Sequence, residues 1–156
     1  MHDIREITIL LVEDDPGHAR LIEKNLRRAN IKNGIVFASN GQEAVDYLFG
    51  KGAYEGKEHA GHLLVLLDLN MPVLSGYQVL QRIKADERTK RIPVIMLTTT
   101  DDPREVARCY ELGCNVYITK PVDYEQFAEA IRKLGLFLMV MMIPNGGGQG
   151  IGCGAR

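Results

Sequence analysis

Residues 63–68 read Leu63-Leu64-Val65-Leu66-Leu67-Asp68, five apolar residues without a polar break, closed by a carboxylate. A run of that length with no alternation fits a strand buried on both faces, as in the middle of a parallel sheet. Working outward, Ile7 to Val12 is a second near-continuous run, and it ends at Glu13-Asp14-Asp15. Shorter runs follow at Ile35–Ala38, Pro93–Leu97 and Val116–Ile118. Between them the period changes to that of helices. Asp15-Pro16 predicts a capped helix start, with Leu21, Ile22, Asn25, Leu26 and Ala29 on one face. Asn40-Gly41-Gln42-Glu43 predicts a second start, with Ala44, Val45, Leu48 and Phe49 turned inward. A third helix follows Gly76 through Val79, Leu80 and Ile83. A fourth opens at Pro103 and ends at Gly113. A fifth is capped by Asp123 and buries Phe127, Ala130, Ile131 and Leu134. Gly50 to His62, with glycines at 50, 52, 56 and 61, predicts a loop.

Five strands alternating with five helices predict an α/β domain, a parallel sheet covered on both faces with right-handed crossovers. The chain of 156 residues is the size of one domain, placed at residues 1–134. Residues 135–143 form an apolar extension beyond the last helix the fold needs. Its run Leu136 to Ile143 is apolar all round, and burial against a second copy in a homodimer is the expected cover; packing back on its own domain is the alternative. Residues 144–156 are glycine-rich and expected to be disordered.

Composition excludes several classes. Nineteen Lys and Arg against 20 Asp and Glu give a formal charge of −1, with no long basic run, which argues against a nucleic-acid partner. No apolar run approaches the roughly 20 residues that span a bilayer, and Met1-His2-Asp3-Ile4-Arg5-Glu6 carries no signal-peptide pattern. Cys109, Cys114 and Cys153 do not make a disulfide framework, so a reducing cytoplasm is expected and the first two are read as buried thiols. His2, His18, His59 and His62 have no ligand spacing.

In open parallel sheets, ligands sit outside the carboxyl ends of the strands. At that edge the first strand delivers Glu13, Asp14 and Asp15, the third Asp68, the fourth Thr98 and Thr99, and the fifth Thr119, Lys120 and Pro121. Asp15, before Pro16, is read as a helix cap rather than a ligand. Carboxylates held together repel unless a cation intervenes. An all-oxygen cluster that stays ionised suits Mg²⁺. Lys120 supplies charge for a fixed anion and Thr98 a donor, so the site reads as a pocket for a phosphoryl group, with Asp68 the natural attachment point.

Glu13-Asp14, Asp68-Leu69-Asn70-Met71-Pro72 with Gly76, Thr98-Thr99, Tyr117 and Lys120-Pro121 together resemble the receiver domain of two-component response regulators. The resemblance runs from about Ile7 to Leu134. It implies a flavodoxin-like (βα)5 fold with strand order 2-1-3-4-5. It further implies that Asp68 is the phosphoacceptor for a histidine kinase, and that Mg²⁺ is held by Asp14, Asp68 and the backbone carbonyl of Asn70. Glu13 would reach the metal through water, Lys120 would pair with phosphoryl oxygens, its bond to Pro121 would be cis, and Thr98 and Tyr117 would form the switch pair. The surface of the fourth helix, fifth strand and fifth helix would read out the change. Asp46-Tyr47-Leu48, the loop from Gly50 to His62 and the stretch from Arg91 to Thr100 resemble the single-domain regulators that partner phytochrome-type kinases. A phosphatase with an aspartyl-phosphate intermediate would need an acid at position 70, which is Asn70. A flavin module would place Glu13-Asp14-Asp15 against its phosphate. A dimeric scaffold on this fold, independent of phosphorylation, is the remaining alternative.

Overall fold

The computed structural model describes residues 7–56, 62–120, 123–134 and 136. Strands β1 (Ile7–Val12), β2 (Ile35–Ala38), β3 (His62–Asp68), β4 (Val94–Thr98) and β5 (Val116–Thr119) form one parallel sheet in the order β2-β1-β3-β4-β5. Helices α1 (Pro16–Arg28), α2 (Gly41–Phe49), α3 (Gly76–Ala85), α4 (Pro103–Glu111) and α5 (Tyr124–Lys133) alternate with them. This is the expected flavodoxin-like arrangement.

Strand alternation divides the apolar runs between two cores. Ile9, Leu11, Leu64, Leu66, Ile95 and Leu97 face α1 and α5, where Ile22, Leu26, Phe127 and Ile131 meet them. Leu10, Val12, Val65, Leu67, Val94 and Met96 face the other way, onto α2, α3 and α4 through Val45, Leu48, Val79, Leu80, Ile83 and Cys109. Both faces of β1 and β3 are thereby covered, which is why those runs show no alternation. Cys109 and Cys114 are buried thiols, as expected.

The helix starts follow the local chemistry. The Asp15 carboxylate accepts from the Gly17 and His18 N–H groups ahead of Pro16, and Asn40 accepts from Glu43. Asp123 and Gln126 form a reciprocal capping box at α5. Ser75 and Gln78 form another at α3 that the sequence reading passed over.

Two expectations are corrected. Leu21 is 49% exposed rather than on the inner face of α1. Ile22, Leu26 and Ala29 define the buried stripe, and Leu21 lies about 100° round the helix from Ile22. The loop after α2 is not wholly irregular: Gly52–Tyr54 makes one 3₁₀ turn, and the Tyr54 ring meets that of Tyr47 edge-on at 5.1 Å. Among the C-terminal apolar residues, Leu136 packs, partly buried, on the α1–α5 core. Its N–H donates to the Ile131 carbonyl at 3.1 Å. The rest of the extension at 135–143, the tail at 144–156 and the Lys120–Pro121 bond lie outside the described residues.

Register levels the functional ends. Val12 pairs with Leu67, Asp68 with Leu97, and Thr98 with Thr119. Glu13 thus emerges beside Asp68, and Lys120 follows one residue past the pairing of Thr98.

Candidate functional site

The three acids that the sheet brings to one edge form a compact set. Glu13, Asp14 and Asp68 each offer a carboxylate oxygen, and these atoms lie within 4.8 Å of one another. Glu13 and Asp68 are nearly closed off, at 4% and 5% exposure, while Asp14 is exposed. Burial, helped by the charges of Glu13 and Asp14 and opposed by Lys120, pushes the Asp68 carboxyl up to about 6. Three oxygens from three carboxylates, with one of the acids open to solvent, fit a hard divalent cation that would complete its shell with water.

Lys120 Nζ donates to Glu13 Oε1 at 2.6 Å and to Asp68 Oδ1 at 3.4 Å, with little exposure on any of the three side chains. Glu13, expected only as an outer metal contact, is thus the lysine's nearer partner. Its second oxygen accepts from the Asp15 N–H at 3.2 Å and lies 3.7 Å from His18 Nδ1. Asp15 itself is turned away as the α1 cap, where the His18 and Gly17 N–H groups hold its carboxyl below the usual range. That agrees with the sequence reading.

Past Asp68 the chain turns sharply. Asn70 is exposed, two residues beyond the end of β3. Val73 adopts a φ of 69°, a conformation a β-branched residue rarely takes, and its side chain is 79% exposed. Gly76 then brings α3 back against the strand end. Its N–H donates to the Leu69 carbonyl at 2.9 Å, and a Cβ there would lie 2.4 Å from the Asp68 carbonyl oxygen.

Thr98 is fully buried at the end of β4. Its hydroxyl oxygen accepts from the Thr100 N–H at 3.2 Å, and its carbonyl accepts from the Lys120 N–H at 2.6 Å. Tyr117 is half-buried, and its hydroxyl donates to the Thr100 carbonyl at 2.7 Å. Burial raises the pKa of that phenol, and a hydrogen bond with Thr98 opposes the rise. Asp68, Thr98, Tyr117 and Lys120 therefore sit on one connected edge, with Thr100 the joint between Thr98 and Tyr117. The sequence reading missed Thr100 because its links to Thr98 and Tyr117 are made by backbone atoms. It also missed a link between α3 and α4, where the Tyr77 hydroxyl donates to Glu105 Oε1 and the Arg108 guanidinium lies 3.9 Å from the centre of the Tyr77 ring. Neither contact has a spacing that marks it in the sequence.

A family model described as the response regulator receiver domain matches residues 9–132. Among curated proteins, the response regulator Rcp1 of Synechocystis sp. (strain PCC 6803) is 35% identical over 129 residues, covering 83% of this chain and 86% of that protein. A structure of Rcp1 in a Mn²⁺-bound form aligns with a TM-score of 0.68 at 34% identity, over 85% of this chain and 92% of that one. The bacteriophytochrome response regulator AtBRR aligns with a TM-score of 0.77 at 40% identity, over 85% of this chain and 95% of that one. A response regulator receiver domain from Rhodospirillum rubrum is 56% identical with a TM-score of 0.69, over 85% and 93% of the two chains.

Proposed function

The chain belongs to the response regulator receiver domain family, and we propose that it signals by accepting a phosphoryl group on Asp68 from a histidine kinase. The observation that carries this reading is the placement of Lys120 and two further carboxylates, Glu13 and Asp14, around the nearly closed Asp68. In the transfer, an Asp68 oxygen forms the new bond to phosphorus as the bond from phosphorus to the donor histidine nitrogen breaks. Asp14, Asp68 and the carbonyl of Asn70 would hold Mg²⁺, with Glu13 reaching it through water. When bound, the ion offsets the charge of the acids and of the transferring group.

The chain's own residues supply the rest. Lys120 moves from Glu13 toward the phosphoryl oxygens, and the Thr98 hydroxyl donates to one of them. Each is a contact the unphosphorylated protein cannot make, so phosphorylation favours a second arrangement of the loop after β4. Tyr117 follows Thr100, and the surface of α4, β5 and α5 carries the output. A phytochrome-type kinase is the proposed donor, because AtBRR is named for that class of photoreceptor. The apolar extension at residues 135–143 is the proposed contact of a homodimer, to be tested by light scattering at micromolar concentration. A cytoplasmic location completes the proposal; among the described residues no helix is long and apolar enough to cross a membrane.

The test is intact mass after incubation with acetyl phosphate and Mg²⁺. The expected result is one phosphoryl adduct that requires the ion and is absent in Asp68→Asn. A folded wild type that takes no adduct would overturn phosphoacceptance and leave the scaffold reading.

A further inference from the structure

Helix α4 is thinly anchored. It buries only Cys109 fully; Glu105 and Val106 are half-buried, and Tyr110 is 47% exposed. Against that, one side chain from α3 grips it twice. The Tyr77 hydroxyl donates to Glu105 in the first turn of α4, and Arg108, one turn further on, lays its guanidinium over the Tyr77 ring. Burial and the neighbouring Glu105 carboxylate raise the Tyr77 pKa, so the phenol keeps its proton and remains a donor.

The position of Tyr77 gives this grip a meaning. Tyr77 follows Gly76, whose backbone is pressed against the Asp68 carbonyl. Glu105 is tied to the other side of the site. Its N–H donates to the Asp102 carbonyl at 3.0 Å, the Asp102 N–H donates to Thr100 Oγ1 at 3.1 Å, and the Thr100 N–H donates to Thr98 Oγ1 at 3.2 Å. The tether closes a ring from Asp68 through α3, α4 and the β4–α4 loop to Thr98. A movement of the Thr100 backbone relative to Thr98 draws on the start of α4, which Tyr77 holds.

We propose that Tyr77 is a positioning residue that, through Glu105, holds α4 and the β4–α4 loop in the unphosphorylated arrangement and so sets how readily Asp68 is phosphorylated. This rests on the phosphoacceptor reading above and adds the element that resists the switch. The mechanism is a bias on a two-state element and needs no contact between Tyr77 and the phosphoryl group.

The test compares wild type, Tyr77→Phe, Glu105→Leu, which leaves no acceptor for the hydroxyl, and the double variant in the full chain. Phenylalanine keeps the ring under Arg108 and removes only the hydroxyl. Two quantities are read: amide hydrogen exchange of α4 without a phosphoryl donor, and the rate of adduct formation with acetyl phosphate and Mg²⁺. Each single variant is expected to raise both by about five-fold, the scale of one hydrogen bond. The double variant is expected to go no further than either single one, because both remove the same bond. Unchanged α4 exchange, or single effects that multiply in the double variant, would overturn the proposal. A wild type that reacts while Tyr77→Phe reacts at the same rate would overturn the coupling alone. A wild type that takes no phosphoryl group would overturn the phosphoacceptor reading and the coupling together.

Discussion

Lys120 sits closer to Glu13 than to the aspartate it is expected to serve, 2.6 Å against 3.4 Å. The pairing has a direct consequence for Asp68, because Glu13 both repels its negative charge and occupies its nearest cation. Glu13→Gln should therefore lower the Asp68 pKa from about 6 toward the ordinary carboxylate value. The same change removes one of three metal-facing carboxylates, so Mg²⁺ affinity should fall about ten-fold, or about 1.4 kcal/mol. Carboxyl carbon NMR across pH 3–9 reads the first effect and calorimetry the second. An Asp68 pKa that stays put or rises in the variant would refute the account.

The raised pKa of Asp68 makes one contribution to the pH dependence of folding without divalent ions. The folded protein binds the Asp68 proton more tightly than the unfolded chain, whose carboxyl keeps a value near 3.8. The stabilising contribution is therefore complete below about pH 4 and is lost as pH rises through about 6. At pH 7.5, Asp68→Asn should be more stable than wild type by about 1–2 kcal/mol, and the advantage should vanish by pH 4. Urea midpoints at the two pH values measure this. Added Mg²⁺ should erase the advantage at pH 7.5, since the ion needs the charged carboxylate that asparagine lacks.

Gly76 is required by close approach rather than by its dihedral angles. A Cβ would meet the backbone of Asp68 and Leu69 at 2.4 and 2.7 Å, and backbone cannot swing aside as a side chain can. Gly76→Ala should destabilise the fold by about 2–4 kcal/mol, despite alanine's better helix propensity. It should also slow adduct formation by displacing the end of β3. Denaturant unfolding and intact mass report the two effects.

Val73 offers the opposite case. Its φ of 69° costs a β-branched residue energy, and its exposed side chain has little packing to lose. Val73→Gly should stabilise the protein by about 1 kcal/mol, the relief of strain exceeding glycine's extra entropy in the unfolded chain. A fall in the thermal midpoint would show that the valine side chain has an unseen role.

What the sequence made legible was local or periodic. The runs at Ile7–Val12 and Leu63–Leu67 announced buried strands, Asp15-Pro16 and Asp123 announced helix starts, and the strand ends named the carboxylates and Lys120. Contacts between elements left no such trace. Whether Lys120 would lean on Glu13 or Asp68 depends on fractions of an ångström at the sheet edge. Tyr77 meeting Glu105 depends on how α3 and α4 lie side by side. Leu21 was misplaced because an apolar residue on a helix flank looks, in one dimension, like one on its inner face. The φ of Val73 was hidden because a valine gives no warning of a left-handed turn.

Glu13 and Lys120 stand 107 positions apart, and β5 is the last strand of the sheet. During synthesis at about 5–20 residues per second, Glu13 leaves the ribosome roughly 5–20 seconds before its ammonium partner, and Asp68, 52 positions from Lys120, roughly 3–10 seconds before it. Until then the nascent domain carries a carboxylate cluster with no lysine to balance it. Lys120 is thus the last of these charges to be made, and a chain cut short of β5 would keep the acids at the sheet edge without the ammonium that pairs with Glu13 and Asp68.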